Sequence, residues 1–330
     1  MGWQGRRVLV TGAGGFIGSH LVEALVRAGA KVRAMLHYDS RPHRGNLEHA
    51  DPALLGEVEI ISGDVIDPHF VYRACQEREV VFHLAALIAI PYSYVAPSAY
   101  VQANVVGTLN VLEACRLLGV PRLVHTSTSE CYGTARYTPI DEEHPLQGQS
   151  PYSASKIAAD KLAESYFLSF NLPVATLRPF NTFGPRQSAR AVIPTILAQL
   201  LAGTLELRIG DVTPIRDMNY VGNTVEAFLA IADCDAALGQ VVNAGSGRGV
   251  TIGAIAQLAM KVSGRQVPIV TEAQRQRPPK SEVWTLIAAN DKAQKLMGWT
   301  PRVDLETGLE RAAEFIQAHL HLYRPEEYTV

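Results

Sequence analysis

Three observations in the amino-acid sequence predict an α/β protein built on a doubly wound parallel sheet. Six short β-branched runs alternate with longer helical patterns through the first half of the chain. Each run is almost wholly apolar instead of alternating, as a strand must be when helices cover both faces of its sheet. The first run passes through a glycine-rich turn directly into an amphipathic helix over 19–25. The composition agrees: 330 residues, 47% hydrophobic and only 19% charged, can bury a large core without covalent staples.

Taken in order, strands are expected at residues 7–10, 31–36, 58–61, 80–84, 122–126 and 174–177. After Pro179 the rhythm changes, and Pro, Gly and Arg concentrate over 179–190 and again over 275–280. A strand-like Val241-Val242-Asn243 between these stretches reads as a return to the main sheet. The expected division is therefore residues 1–180 with a return segment at about 211–245, against a smaller, discontinuous C-terminal domain of 181–210 and 246–330. No internal repeat, low-complexity tract or long linker interrupts this pattern.

Several function classes fall away at this level. Thirty Lys and Arg against 32 Asp and Glu leave a formal charge of −2, which provides no basic field for a nucleic-acid backbone or an anionic membrane. No apolar run approaches the roughly 18 residues of a membrane span, and the opening residues lack a leader-type apolar stretch, so a cytoplasmic protein is expected. Cys75, Cys115, Cys131 and Cys234 lie far apart without a CxxC pair, and the ten histidines form no HExxH cluster. We expect neither a disulfide framework nor a metal.

The glycine-rich turn reads Thr11-Gly12-Ala13-Gly14-Gly15-Phe16-Ile17-Gly18. Glycines at 12, 15 and 18 permit a tight turn, close approach of backbone to a pyrophosphate, and close packing of helix on strand. The helix start at Phe16 and Ile17 presents unpaired N–H groups to the anion. In this context, strand before and helix after, the turn predicts a Rossmann-like dinucleotide site, although the GxGxxG spacing itself is not met because its last glycine would fall on Ile17. The second strand ends in His37-Tyr38-Asp39-Ser40-Arg41. Asp39 can bind a ribose 2′-hydroxyl, whereas Ser40, Arg41 and Arg44 can hold a 2′-phosphate, so NAD and NADP both stand as cofactors. After the third strand, Asp64 and Val65 can reach the adenine edge, with an ordinary turn-forming Asp as the alternative.

Ser150-Pro151-Tyr152-Ser153-Ala154-Ser155-Lys156 opens a helix continuing over 158–170, and its Tyr and Lys are four apart, on one face. A phenol of ordinary pKa about 10 is a poor base at neutral pH. An ammonium about 4 Å away at an effective dielectric of about 20 contributes about 4 kcal/mol, roughly three pK units. Tyr152 is thereby expected to accept a hydroxyl proton as hydride leaves the same carbon. A surface Tyr/Lys pair is the common meaning of this spacing alone; the glycine turn and the Ser-Pro helix start favour the catalytic one. Between these elements, Thr126-Ser127-Thr128-Ser129-Glu130 brings hydroxyls and a carboxylate to the ligand edge of the sheet.

With these motifs the chain resembles the extended short-chain dehydrogenase/reductase family, and within it the sugar-nucleotide epimerases and dehydratases. TGAGGFIG at 11–18, HLAA at 83–86, YSASK at 152–156, RPFNTFGPR at 178–186 and RDMNYV at 216–221 follow that family's order over nearly the full length. The resemblance implies that Leu84, Ala85 and Ala86 line the cofactor. It implies that Thr128 binds the reacting sugar oxygen, that Tyr152 and Lys156 form the base pair, and that Asn181 and Arg216 contact the substrate diphosphate. Asn104 falls where relatives commonly carry Asn, a residue that can equally bridge helices. Arg186, Arg190 and Arg277 are nucleotide contacts or solvated loop charges.

Oxidising C4 of a hexose acidifies the neighbouring C5–H. In 4,6-dehydratases the stretch equivalent to Thr128-Ser129-Glu130 reads Thr-Asp-Glu or Thr-Ser-Glu, whereas 4-epimerases usually carry no carboxylate there. The resemblance thus implies hydride loss from C4, proton abstraction from C5 by Glu130, departure of the C6 hydroxyl as water, and hydride return to C6. The product would be a 4-keto-6-deoxy sugar nucleotide. Ser129 is too weak an acid to protonate the leaving hydroxide unaided, which leaves protonated Glu130 or a water relay through Ser129. A 4-epimerase is the alternative; a glucuronate-nucleotide decarboxylase is disfavoured because the aligned segment 282–286 has no Arg. The stretches 87–94, 147–151 and 186–190, with Ile88 and Ser93 at the substrate, are most similar to dehydratases of N-acetylhexosamine nucleotides on legionaminic-type routes. By analogy, the helices over 103–117 and 154–170 pair across a two-fold axis into a homodimer, unless their apolar faces are used up by the sheet.

Overall fold

A computed structural model describes residues 2–41, 43–272, 275, 278 and 280–324; the expected substrate contact Arg277 lies outside them. The first half contains β1 (Arg7–Thr11), α1 (Phe16–Arg27), β2 (Lys31–His37), α2 (Pro52–Leu55), β3 (Glu59–Gly63), α3 (Pro68–Cys75), β4 (Val80–His83), α4 (Ile90–Val95), α5 (Pro97–Tyr100), α6 (Gly107–Leu118), β5 (Leu123–Thr126), α7 (Pro151–Phe170) and β6 (Val174–Pro179). The second half adds β7 (Thr182–Phe183), α8 (Val192–Leu201), β8 (Leu207–Ile209), β9 (Ile215–Asp217), β10 (Asn219–Tyr220), α9 (Val221–Ala232) and β11 (Val241–Ala244). It closes with β12 (Gly249–Thr251), α10 (Ile252–Ser263), β13 (Ile269–Thr271), β14 (Thr285–Leu286), α11 (Asp291–Met297) and α12 (Leu305–Ala318).

Seven strands form one parallel sheet in the order β11-β6-β5-β4-β1-β2-β3. Its apolar strands serve two cores at once. Val8, Val10, Val80, Phe82 and Val124 pack with Leu21 and Leu25 of α1 and Phe228 of α9 on one face. Leu9, Val81 and Leu123, between them in sequence, pack with Val71 of α3, Val111 of α6 and Ala163 of α7 on the other. Burial on both faces is why the strands read as continuous apolar runs. Among the described residues, no helix is long and apolar enough to cross a membrane.

Neighbours β1 and β4 mark the point where the strand order reverses, and the crevice beyond their carboxyl ends is where open α/β sheets bind ligands. Thr11 pairs in register with His83, and His83 with His125, so the ends of β1, β4 and β5 form one edge. The remaining elements stand beyond this edge: α8, α10 and α12 pack together, β8 pairs with β13, and β9 lies between β12 and β14. β11 returns beside β6.

Helix α7 starts where the sequence signals it. Ser150 is the cap residue, its hydroxyl accepting from the Ser153 N–H, while the Ser153 hydroxyl accepts from the Ser150 N–H, and Pro151 occupies the first turn. Ser150→Ala is expected to cost about 1 kcal/mol and to loosen the turn carrying Tyr152. Thermal denaturation checks this, and an unchanged midpoint would show that the cap contributes nothing.

Candidate active site

The cofactor end is built from close backbone approaches. Gly12 has φ +68° at the end of β1, and a Cβ there would lie 2.8 Å from the Ala85 nitrogen. At Gly18 a Cβ would fall 2.2 Å from the Gly12 oxygen, so only glycine lets α1 close on the turn. Gly15 is the cap residue of α1 in extended conformation, and no side chain caps the N–H groups of the first turn at Phe16 and Ile17. This uncapped helix start beside a glycine turn fits the diphosphate of a dinucleotide. Gly18→Ala is expected to destabilise by about 1–3 kcal/mol through overpacking and to weaken cofactor binding. Melting and cofactor titration together test it; a variant equal to the parent in both would show that the tight approach is dispensable.

Around this turn the strand ends are tied together. The Thr11 hydroxyl accepts from the N–H groups of Leu84 and Ala85, both at 3.1 Å, and lies 2.9 Å from His83 Nδ1. Ala86 follows, half-buried. Asp39 stands past β2, where its carboxylate accepts from the Arg41 N–H and guanidinium, both at 3.0 Å, and from His43. These bonds hold its carboxyl well below the usual carboxylate range. Ser40 is exposed beside it. At the end of β3, Asp64 accepts from the Ile66 N–H at 3.1 Å and lies 3.3 Å from His37 Nε2, and the carbonyl of buried Val65 accepts from Asn110.

At the catalytic end the structure brings Thr128, Glu130, Tyr152 and Lys156 together. Thr128 caps the short helical turn Ser129–Tyr132, its hydroxyl accepting from the Glu130 N–H at 3.3 Å. Tyr152 is 7% exposed, shares a hydrogen bond with the Thr128 side chain, and feels the charge of Glu130. On that turn Glu130 is 9% exposed and Ser129 2%. Lys156 donates to the Thr126 carbonyl at 2.6 Å. Burial raises the Tyr152 phenol above its ordinary value, and the Thr128 bond only partly opposes this. Lys156 gives one of its three N–H groups to this carbonyl, and in the chain by itself burial outweighs the lowering of the phenol that the spacing predicts.

Asn104 bridges instead of facing the crevice. It lies in a wide, π-type turn, Val101–Val106, where its amide oxygen accepts from the Leu87 N–H and its amide nitrogen donates to the Leu87 carbonyl and the Ser155 hydroxyl. It thereby ties α7 to the loop ahead of α4.

The residues expected at the substrate are dispersed. Ile88 is 61% exposed, while Ser93 is fully buried and donates to the Ile90 carbonyl within its own helix. The Asn181 side-chain oxygen is buried without a hydrogen-bond partner. Arg216, 6% exposed, meets Glu282 at 2.8 Å. Arg190 turns to Ser188 at the surface. Arg186 is half-buried against α1, donating to Glu23 at 2.7 Å and to the His49 carbonyl at 2.8 Å. Among the described residues, no group of three or more His, Cys, Asp or Glu side chains is arranged to hold a metal ion.

The family model for GDP-mannose 4,6-dehydratase matches residues 9–312. The chain belongs to this family. It is similar to the UDP-glucose 4-epimerase of Mycolicibacterium smegmatis, 33% identical over 316 residues that cover 94% of this chain and 98% of the relative. It is also similar to the dTDP-glucose 4,6-dehydratase of an Actinoplanes species, 30% identical over 95% of this chain and 98% of the relative. Among solved structures, a dTDP-glucose 4,6-dehydratase from Streptomyces venezuelae with NAD bound superposes with a TM-score of 0.86, 26% identity, and coverage of 97% of this chain and 100% of that one. This member of the GDP-mannose 4,6-dehydratase family is thus similar in sequence to dehydratases and epimerases alike.

What the motifs did not reveal in this family member is a buried polar cluster behind the crevice. Asp160 accepts from the Ser127 hydroxyl and the Arg178 guanidinium, both at 2.6 Å, and from His125 at 3.1 Å. The available signal was an arginine inside an otherwise apolar strand, which requires a buried carboxylate as partner.

Proposed function

We propose that the chain is a nucleotide-sugar 4,6-dehydratase that converts its substrate to a 4-keto-6-deoxy sugar nucleotide. The observation that carries this reading is Glu130, a carboxylate on the turn capped by Thr128, within electrostatic reach of Tyr152. A 4-epimerase has no use for a base at this place, since it need only return hydride to the other face of the ketone.

The residues divide the work as follows. Gly12, Gly15 and Gly18 with the first turn of α1 hold the diphosphate of NAD, Asp39 its adenosine ribose, and Asp64 and Val65 the adenine side. NAD, when bound, removes hydride from the sugar and returns it. Arg41 is already engaged by Asp39, which supports NAD over NADP. Thr128 orients the C4 hydroxyl and Tyr152 takes its proton. Glu130 then removes the C5 proton and, once protonated, donates to the departing C6 hydroxyl, and a proton from solvent reaches C5 as hydride returns to C6; the burial of Ser129 supports this assignment of the acid. Residues 181–210 and 246–330 form the substrate side, where Asn181 and, from the return segment, Arg216 meet the diphosphate. The sugar is an N-acetylated hexosamine linked to GDP or UDP, a reading supported by the stretches 87–94, 147–151 and 186–190.

The exposed Leu109, Leu117, Leu168 and Phe170 on α6 and α7 support a homodimer through these helices. Four free cysteines suit the cytoplasm. A 4-epimerase is the second reading, favoured by the similarity to the mycolicibacterial enzyme. One assay separates the two. Pure protein incubated with a panel of nucleotide sugars is expected to yield a product lighter by one water; an unchanged mass with inverted C4 would establish the epimerase.

A further inference from the structure

We propose that Asp160 is a positioning residue for this reaction: it locks the end of β5 to α7 and supplies the negative charge that keeps buried Lys156 an ammonium. The proposal rests on the functional reading above and adds to it a residue outside the Tyr-Lys motif.

The geometry is a three-point clasp. Tyr152, Lys156 and Asp160 are spaced four apart along α7, hence on one face. They meet three consecutive residues beyond and at the end of β5. Lys156 donates to the Thr126 carbonyl, Asp160 accepts from the Ser127 hydroxyl, and Tyr152 bonds the Thr128 side chain. Each contact sets the register of the next, so the separation of Tyr152 from Thr128 depends on where Asp160 holds Ser127. Asp160 is itself fixed from both sides, by His125 of β5 and Arg178 of β6. Arg178 also donates to Ser127 at 3.2 Å and lies 4.6 Å over the Tyr132 ring.

The charge argument follows from burial. Lys156 is 4% exposed and Asp160 5%. A buried ammonium with only a carbonyl for company loses its proton readily. Lys156 interacts with His83 on β4, His125 on β5, Cys131 on the turn after β5 and Asp160 on α7, with Tyr152 one turn earlier on α7 and Arg178 of β6 held on Asp160. Burial lowers both histidines and so favours their neutral forms, and it pushes the Cys131 thiol up to about 12. Burial also raises the phenol. Asp160, by contrast, stays ionised: burial opposes its charge, but Arg178, His125 and Ser127 together hold its carboxyl below the usual range. It is therefore the carboxylate that opposes the lowering of Lys156 by burial.

Asp160→Asn retains the shape and removes the charge. The expected result is a fall of about tenfold in kcat at pH 8 with little change in KM, and a basic limb of the pH–kcat profile moved about one unit toward acid. Asp160→Glu should keep the limb in place. Because Arg178 is stranded in the single variant, Asp160→Asn/Arg178→Met is the control for folding. It should regain thermal stability yet keep the displaced limb, whereas a merely structural ion pair would return the limb with the stability. A limb at the parental position in either charge-removing variant overturns the proposal. A measurement free of variants at 160 uses [ε-¹³C]lysine in the wild-type holoenzyme, with the Lys156 resonance assigned by its loss in Lys156→Arg. An ammonium shift at pH 8 supports the proposal, and a neutral amine there overturns it. Since that titration needs no substrate, failure of every nucleotide sugar to react would strike the functional reading and leave this test standing.

Discussion

Tyr152→Phe is expected to lower reduction of bound cofactor on substrate addition by about 10²–10⁴-fold, the range of a lost general base. The ring of Tyr152 lies edge-on to Tyr100 at 6.2 Å, a contact that phenylalanine preserves, so the substitution removes one hydroxyl and leaves the packing. What disappears is the group bonded to Thr128 at the crevice. The absorbance of the reduced nicotinamide after mixing with substrate is the direct readout. Reduction at the parental rate would remove Tyr152 from the chemistry and leave Thr128 or an ordered water as the proton acceptor.

Glu130→Gln should separate the two halves of the reaction. Amide for carboxylate keeps the volume and loses the base, so C4 oxidation continues while solvent exchange at C5 falls by about 10²–10⁴-fold. Deuterium incorporation at C5, followed by mass in deuterated water, measures the second half, and cofactor reduction the first. Undiminished exchange would take Glu130 out of the mechanism. Full turnover to a product of unchanged mass with inverted C4 would favour the epimerase.

Much of the fold was legible because its two-sided burial is written into single strands. The run Val8-Leu9-Val10 has no polar member since each successive residue enters a different core. The glycine turn was legible for a similar reason: at Gly12 and Gly18 no other residue fits, and sequence shows such positions directly. The catalytic residues followed from spacing on α7 together with resemblance. Their electrostatics did not, because desolvation depends on neighbours far along the chain. The spacing of Tyr152 and Lys156 suggests a lowered phenol, yet burial raises it and Thr126 takes the ammonium. Asp160 escaped notice for the same reason, since its partners Ser127 and Arg178 are distant in sequence and meet it only across the sheet. Arg186 shows the reverse case: a loop arginine that reads as a nucleotide contact or a solvated charge is held by Glu23 of α1.

The contact between Arg216 and Glu282 bears on the diphosphate site proposed above. On the proposed function, a diphosphate reaching Arg216 would have to displace the Glu282 carboxylate, so its net gain would be a difference between two attractions. A free hexose, having no phosphoryl oxygens, would leave that ion pair in place. Under the proposed function, nucleotide-linked sugars would be told from free ones at an ion pair that closes again when the product leaves.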